Sequence, residues 1–222
     1  MEFLKILKKD FLVLFRQPQL LLALYFFSFV LTFIFSFAFL SLGLPSSERL
    51  SLCPAILTIS TLFISCLLFN QTQLCEKNEN AMLGLVYSGY AGATLFASKG
   101  LTNFLVLASI GIFELFGLHF FFLELPFSLF TNFLVVSLIL SFTLAALGTL
   151  LALISVVAST RELLFPVIFF PLSIPALGAA LTSFREIAAH QEIDFLGFPV
   201  TVLIASAVIF TTLGALLFEE AL

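Results

Sequence analysis

Six stretches of this 222-residue chain stay apolar far longer than the core helix of a soluble domain requires. They run from about Leu20 to Leu44, Leu50 to Asn70, Leu101 to Leu123, Phe127 to Ala158, Leu163 to Phe184 and Pro199 to Phe218. About 18 to 20 apolar residues cross the hydrocarbon of a bilayer as a helix. Lipid admits helices or closed barrels, because every backbone donor must find its acceptor inside the protein. The pattern predicts an all-α integral membrane protein with six transmembrane helices, the fourth long enough to tilt or to project from the bilayer. Composition agrees, at 61% apolar and 10% charged with a mean hydropathy of +1.21, against roughly half and a quarter in soluble domains. Residues 1–222 then form a single transmembrane domain, and any energy source or catalytic domain is expected on another chain.

The scarce charges carry most of the remaining information. Nine Lys and Arg against thirteen Asp and Glu give a net charge of −4, which speaks against nucleic acid as a partner. With the N-terminus placed in the cytoplasm, Lys5, Lys8, Lys9, Arg16, Lys77, Lys99 and Arg161 fall inside, and only Arg49 and Arg185 fall outside. That distribution in short loops follows the positive-inside rule and puts both termini in the cytoplasm. Cys53, Cys66 and Cys75 lack the spacing of a redox pair, a haem attachment site or a disulfide framework.

Two segments outside the spans are organised. In residues 1–17 charged and apolar residues interleave, unlike a secretory signal. On a helical wheel Phe3, Leu4, Leu7, Phe11, Leu14 and Phe15 share one face, opposite Glu2, Lys5, Lys9 and Arg16. This predicts an amphipathic interfacial helix, from which Pro18 turns the chain into the first span. Such a helix is either an elbow that contacts a cytoplasmic partner or a lipid-surface anchor. Residues 71–98 form the longest and most polar connection. Its run Cys75-Glu76-Lys77-Asn78-Glu79-Asn80 is followed by Ala81, Met82, Leu83, Leu85, Val86 and Tyr87, which reads as a charged helical piece docking in a partner's groove or as a solvated loop.

Within the spans, chemistry-bearing residues are few. The chain has no GxxxxGK[ST], HExxH or GxSxG motif, no paired-histidine spacing and no tryptophan, so a nucleotide, metal or haem held by this subunit alone is not expected. Glu114 lies inside the third span, where a carboxyl costs a few kcal/mol and faces a bundle interior or a cavity. It could gate a path, carry a proton or hydrogen-bond a neighbouring helix. His119 follows five positions later, roughly 140° around the helix, too far round to pair with Glu114 in a polytopic membrane enzyme. Pro166, Pro171 and Pro175 interrupt one apolar run, so the fifth span is expected to be kinked or broken there.

A family resemblance enters at these residues. The runs Leu147-Gly148-Thr149-Leu150-Leu151-Ala152, Arg161-Glu162-Leu163-Leu164-Phe165-Pro166 and Phe170-Pro171-Leu172-Ser173-Ile174-Pro175 resemble the signature of the CcmB family. That family is the permease subunit of the haem exporter-type ABC transporter of cytochrome c maturation. The likeness extends over the whole chain in length, span number, the basic start with Phe15-Arg16-Gln17, and a central loop ending at Lys99. The central loop departs from the family pattern. It has Glu79-Asn80-Ala81-Met82-Leu83-Gly84 and no proline before Lys99.

The resemblance implies an ABC-2-type permease, non-catalytic and multi-pass in the inner (cytoplasmic) membrane. It works as a homodimer with a cytoplasmic ABC ATPase subunit that binds ATP, a haem-handling membrane subunit and a periplasmic haem chaperone. Haem would be the substrate of the complex rather than a bound cofactor. The family makes Glu76, Lys77, Glu79, Met82, Leu83 and Tyr87 a coupling element for the ATPase subunit, Arg161 and Glu162 a second contact, and the helix of Pro166, Pro171 and Pro175 the moving part. The alternative is a permease for another lipid-like or peptide substrate. For topology, a fusion after Leu222 is expected to fluoresce as a cytoplasmic green protein and to stay inactive as a periplasmic phosphatase. The opposite pair of signals would reverse the orientation.

Overall fold

The computed structural model describes residues 2–43, 46–78, 91–121, 126–157 and 161–221. Among them are seven helices and no strand: α1 (Glu2–Phe15), α2 (Pro18–Ser41), α3 (Ser46–Asn78), α4 (Gly92–Phe121), α5 (Phe127–Val157), α6 (Arg161–His190) and α7 (Phe198–Ala221). Helices α2 to α7 each contain a segment long and apolar enough to span a membrane, which gives the six expected spans. Several run past their apolar stretches. α3 continues from Asn70 to Asn78 and α4 starts nine residues before Leu101, so the connection expected over 71–98 is helical at both ends. Apolarity marks the part of a helix in lipid, whereas backbone hydrogen bonding continues into polar flanks.

Local chemistry sets the joints. α1 ends with Gln17 N–H donating to the Leu14 carbonyl (3.0 Å), and Pro18 then opens α2, a position where its missing N–H costs nothing. Gly43 at φ +63° closes α2, and Gln191 at φ +62° follows α6. Both take the left-handed conformation that ends helices.

α5 is the hub, packing against α3, α4, α6 and α7, and 72% of its apolar window is buried. α2 is peripheral, 22% buried, and touches α1, α3 and α4. Phe26, Phe29, Phe33, Ile34 and Phe37 on its outer face are exposed, the surface that meets lipid. Inside, Phe133 and Phe184 meet edge to face at 5.3 Å, while Phe69 packs against the stacked pair of Phe165 at 6.0 Å and Phe169 at 6.2 Å. A second cluster joins Ile6 of α1, Leu95 and Phe96 of α4, Ala146 and Leu150 of α5, and Phe218 of α7. These contacts bring α1, the end of α3, the start of α4, the end of α5, the start of α6 and the end of α7 to one end of the bundle, which we term the terminal end.

Of the two outcomes expected for α6, a kink or a break, the break does not occur: its helix is continuous with Pro166, Pro171 and Pro175 inside. Pro171 and Pro175 are exposed while Phe165, Phe169, Ser173 and Ala176 are buried. The missing hydrogen bonds and the ring bulk thus fall on the outer side, where a helix bows without disturbing the core. α1 is a helix as expected. Ile6 and Leu14 are its buried residues and Leu4 and Phe15 are exposed, and it packs against α4 and α2.

Close approach depends on glycine at Gly148. A Cβ there would fall 2.1 Å from Phe69 Cε2, on a ring hemmed in by Phe165 and Phe169. Gly148→Ala should cost about 1–3 kcal/mol through overpacking and lower the Tm of the purified chain by roughly 3–10 °C. Gly178→Ala, where nothing lies within 4 Å, should leave it unchanged.

Candidate functional site

Two groupings of polar residues stand apart from the apolar bundle. The first is the terminal end. α3 carries Glu76 and Lys77 in its last turn, and α6 begins at Arg161 and Glu162. The packing of Phe69 on Phe165 sets these two helix ends side by side. Of Glu76, Lys77, Arg161 and Glu162 only the helical backbone is described, and Glu79, Met82, Leu83 and Tyr87 lie outside the described residues.

The second grouping is within the membrane. Glu114 on α4 is 2% exposed, and the hydroxyls of Ser28 on α2 and Ser60 on α3 adjoin its carboxyl. Neither meets hydrogen-bond geometry, so Ser28 Oγ, Ser60 Oγ and Glu114 Oε1 are all without a partner. Glycines one turn to either side make room. A Cβ on Gly111 would lie 2.8 Å from Ser137 Oγ and 3.8 Å from Ser141 Oγ of α5, and one on Gly117 would lie 3.3 Å from Thr32 Cγ2 of α2. The four buried residues of α2 are Leu24, Ser28, Thr32 and Ser36. Three of these four are polar, set among Leu20, Leu21, Tyr25, Phe27, Phe35 and Phe39, which pack partly buried against the core.

Default chemistry for a buried hydroxyl on a helix is to donate to the carbonyl three or four residues back. Thr58, Thr61, Ser65, Ser98, Thr102, Thr143, Thr149, Ser173, Ser183 and Ser206 do so at 2.7–3.0 Å. Ser28, Thr32, Ser36, Ser60 and Ser141 do not. Nearer the terminal end, polar links pin the same helices: the Tyr25 hydroxyl of α2 donates to Ser109 Oγ of α4 (2.8 Å), and Asn103 Nδ2 of α4 donates to Thr149 Oγ1 of α5 (3.1 Å). The signal for this junction was present in the sequence as Ser28, Thr32 and Ser36, a four-residue polar stripe through a phenylalanine-rich span.

The histidines do not converge. His119 sets its ring 6.3 Å from Phe130 of α5. His190 ends α6 beside Gln191, whose carbonyl accepts from Asn132 Nδ2 (2.9 Å). Phe130 and Asn132 point to nearly opposite sides of α5, roughly 160° apart. Among the described residues no three of His, Cys, Asp and Glu come together. An open groove of about 510 Å³ between α4, α5 and α7, walled by Phe104, Phe142, Ile204 and Val208, carries only apolar and threonine side chains.

A model of the CcmB protein family matches residues 1–222, the whole chain. The chain belongs to the CcmB family. A search of curated proteins returned no match. CcmB-family membership makes this a haem-exporter-type ABC permease of cytochrome c maturation, a multi-pass protein of the inner membrane.

The seating of α2 on α4 in this CcmB-family chain is directly testable. Gly117 would place a Cβ 4.0 Å from Thr32 Cβ, within the range that disulfides span. In a background with Cys53, Cys66 and Cys75 replaced by Ser, the pair Thr32→Cys and Gly117→Cys should oxidise readily. A protease site placed between residues 79 and 90 would then leave both fragments joined until reductant is added. Thr32→Cys with Gly178→Cys should separate at once.

Proposed function

We propose that this chain is the membrane half of a transporter in which ATP hydrolysis on a cytoplasmic partner subunit drives haem export or release of a haem-loaded periplasmic chaperone. The observation that carries this reading is the family match over the full 222 residues. The terminal end supports it, because the helix ends bearing Glu76, Lys77, Arg161 and Glu162 meet there beside the basic α1. Those residues, with Glu79, Met82, Leu83 and Tyr87 of the connecting segment, form the contact for the ATPase subunit, and both termini are cytoplasmic.

In this reading α6 is the moving part. Pro171 and Pro175 each remove a backbone hydrogen bond from its outer face, which lowers the cost of bending there. Its first residues belong to the ATPase contact, so a push at Arg161 reaches the prolines along one helix. The chain works as a homodimer, and a haem-handling membrane subunit supplies the iron ligands, consistent with histidines that face away from each other across α5.

Deleting the gene should abolish holo-cytochrome c while apo-cytochrome c is still made, and the cloned chain should restore it. The ATPase subunit should co-purify with the wild-type chain. Arg161→Glu should weaken that association roughly tenfold or more, as expected for losing a charged interface contact. Normal haem attachment in the deletion strain would sink the reading.

A further inference from the structure

We propose that the junction of α2, α3 and α4 is an intramembrane binding site for a single positive charge, carried by Glu114 as a proton or held there as a monovalent alkali cation. This goes beyond the transport reading and stands on geometry independent of it. The Glu114 carboxyl of α4 and the hydroxyls of Ser28 on α2 and Ser60 on α3 come together inside the bundle, all of them at least nine-tenths buried. Neither hydroxyl donates to its own helix, and Glu114 Oε1 is unpartnered. Ten other buried hydroxyls among the described residues turn back to their own helix. These two adjoin the carboxyl instead.

The chemistry of the donor set names the ligand class. Carboxyl and hydroxyl oxygens are hard donors that suit protons, alkali and alkaline-earth cations. Charge decides among these. A single carboxylate balances one positive charge, and a divalent ion would leave an uncompensated charge in a low-dielectric interior, where such a charge is costly.

Among the described residues no cationic side chain is placed beside Glu114. α2 and α5 contain no charged residue. On α3, Glu48 and Arg49 lie about three turns from Ser60 toward one end, and Glu76 and Lys77 more than four turns toward the other. The charged residues of α1 and Glu219 and Glu220 of α7 belong to the terminal end. On α4 itself, Lys99 is fifteen residues away, about 22 Å along the axis, and His119 is turned to Phe130. Of the other titratable groups, Tyr25 is committed to Ser109, Cys53 donates to the Arg49 carbonyl (3.6 Å), and Cys66 sits two turns further along α3 than Ser60.

The test uses the purified full-length chain and the Glu114→Gln variant, which keeps the shape and a hydrogen-bonding group. Thermal stability is compared in sodium, lithium, potassium and choline chloride at one ionic strength. A Tm raised in the wild type by one alkali cation over choline identifies a metal ion. The rise should be about 5 °C at roughly a hundred times the dissociation constant, absent in Glu114→Gln and smaller in Ser60→Ala. If the salts are equivalent, infrared spectra across pH are decisive: a carboxylic-acid band that grows and fades reversibly in the folded protein, and is missing from Glu114→Gln, identifies the proton. Equivalent salts together with no such band, or with one that does not change with pH, would overturn the proposal.

Discussion

The rule that lipid offers no hydrogen bonds organises this protein at two levels. At the backbone it leaves helices as the local structure, and every span described is one. At the side chain it forces each buried hydroxyl to find an acceptor inside the protein. Ten do so in the cheapest way, by donating to their own helix one turn back, which makes a serine or threonine nearly as acceptable in the bundle as an alanine. A polar residue treated this way carries no instruction for the neighbouring helix. The instructions come from the groups that decline it, and those concentrate between α2 and its neighbours.

Apolar packing between helices in a membrane gains nothing from excluding water, so shape complementarity must supply the cohesion. This chain achieves it by setting phenylalanine rings into glycine notches. Phe69 fills the space at Gly148, and Phe96 fills that at Gly214. At Gly92 the start of α4 meets the backbone of α7 at Phe218, which closes the terminal end around α1. With 31 phenylalanines and no tryptophan, the bulky member of each pair is always a flat ring without a polar edge, and the packing adds no further hydrogen-bond demand.

What was legible in the sequence follows the same physics. The six spans could be read because a stretch in lipid must be apolar along its whole length. Their helical ends could not: beyond the bilayer α3 runs on through Gln71 to Asn78 and α4 reaches back to Gly92, where water tolerates any composition. The α6 prolines predicted a kink or a break, and the helix continues, because sequence order does not say which face a proline occupies. The wheel for α1 placed the apolar face correctly in outline but missed Ile6 as an anchor, since its partners Leu95, Phe96 and Phe218 are remote in the chain. Glu114 was conspicuous alone, whereas its surroundings were not, for Ser60 and Ser141 look like ordinary helix serines until three other helices are set beside them.

The make-up of that junction is hard to explain by packing. An acidic residue at the centre of a span costs about 2.5–3.5 kcal/mol on insertion scales, and each buried polar group without a partner costs about 1–3 kcal/mol. A leucine at 114 with alanines at 28, 60 and 141 would remove those costs while keeping helices that pack through small residues. Gly111 and Gly117, which let α5 and α2 approach α4, would serve that apolar version equally well. The polar version instead adds to the apolar contacts of α2, the least buried span, a point where its seat on α3 and α4 depends on what satisfies one carboxyl and the hydroxyls of Ser28 and Ser60. An apolar seam of the same shape does not have that dependence.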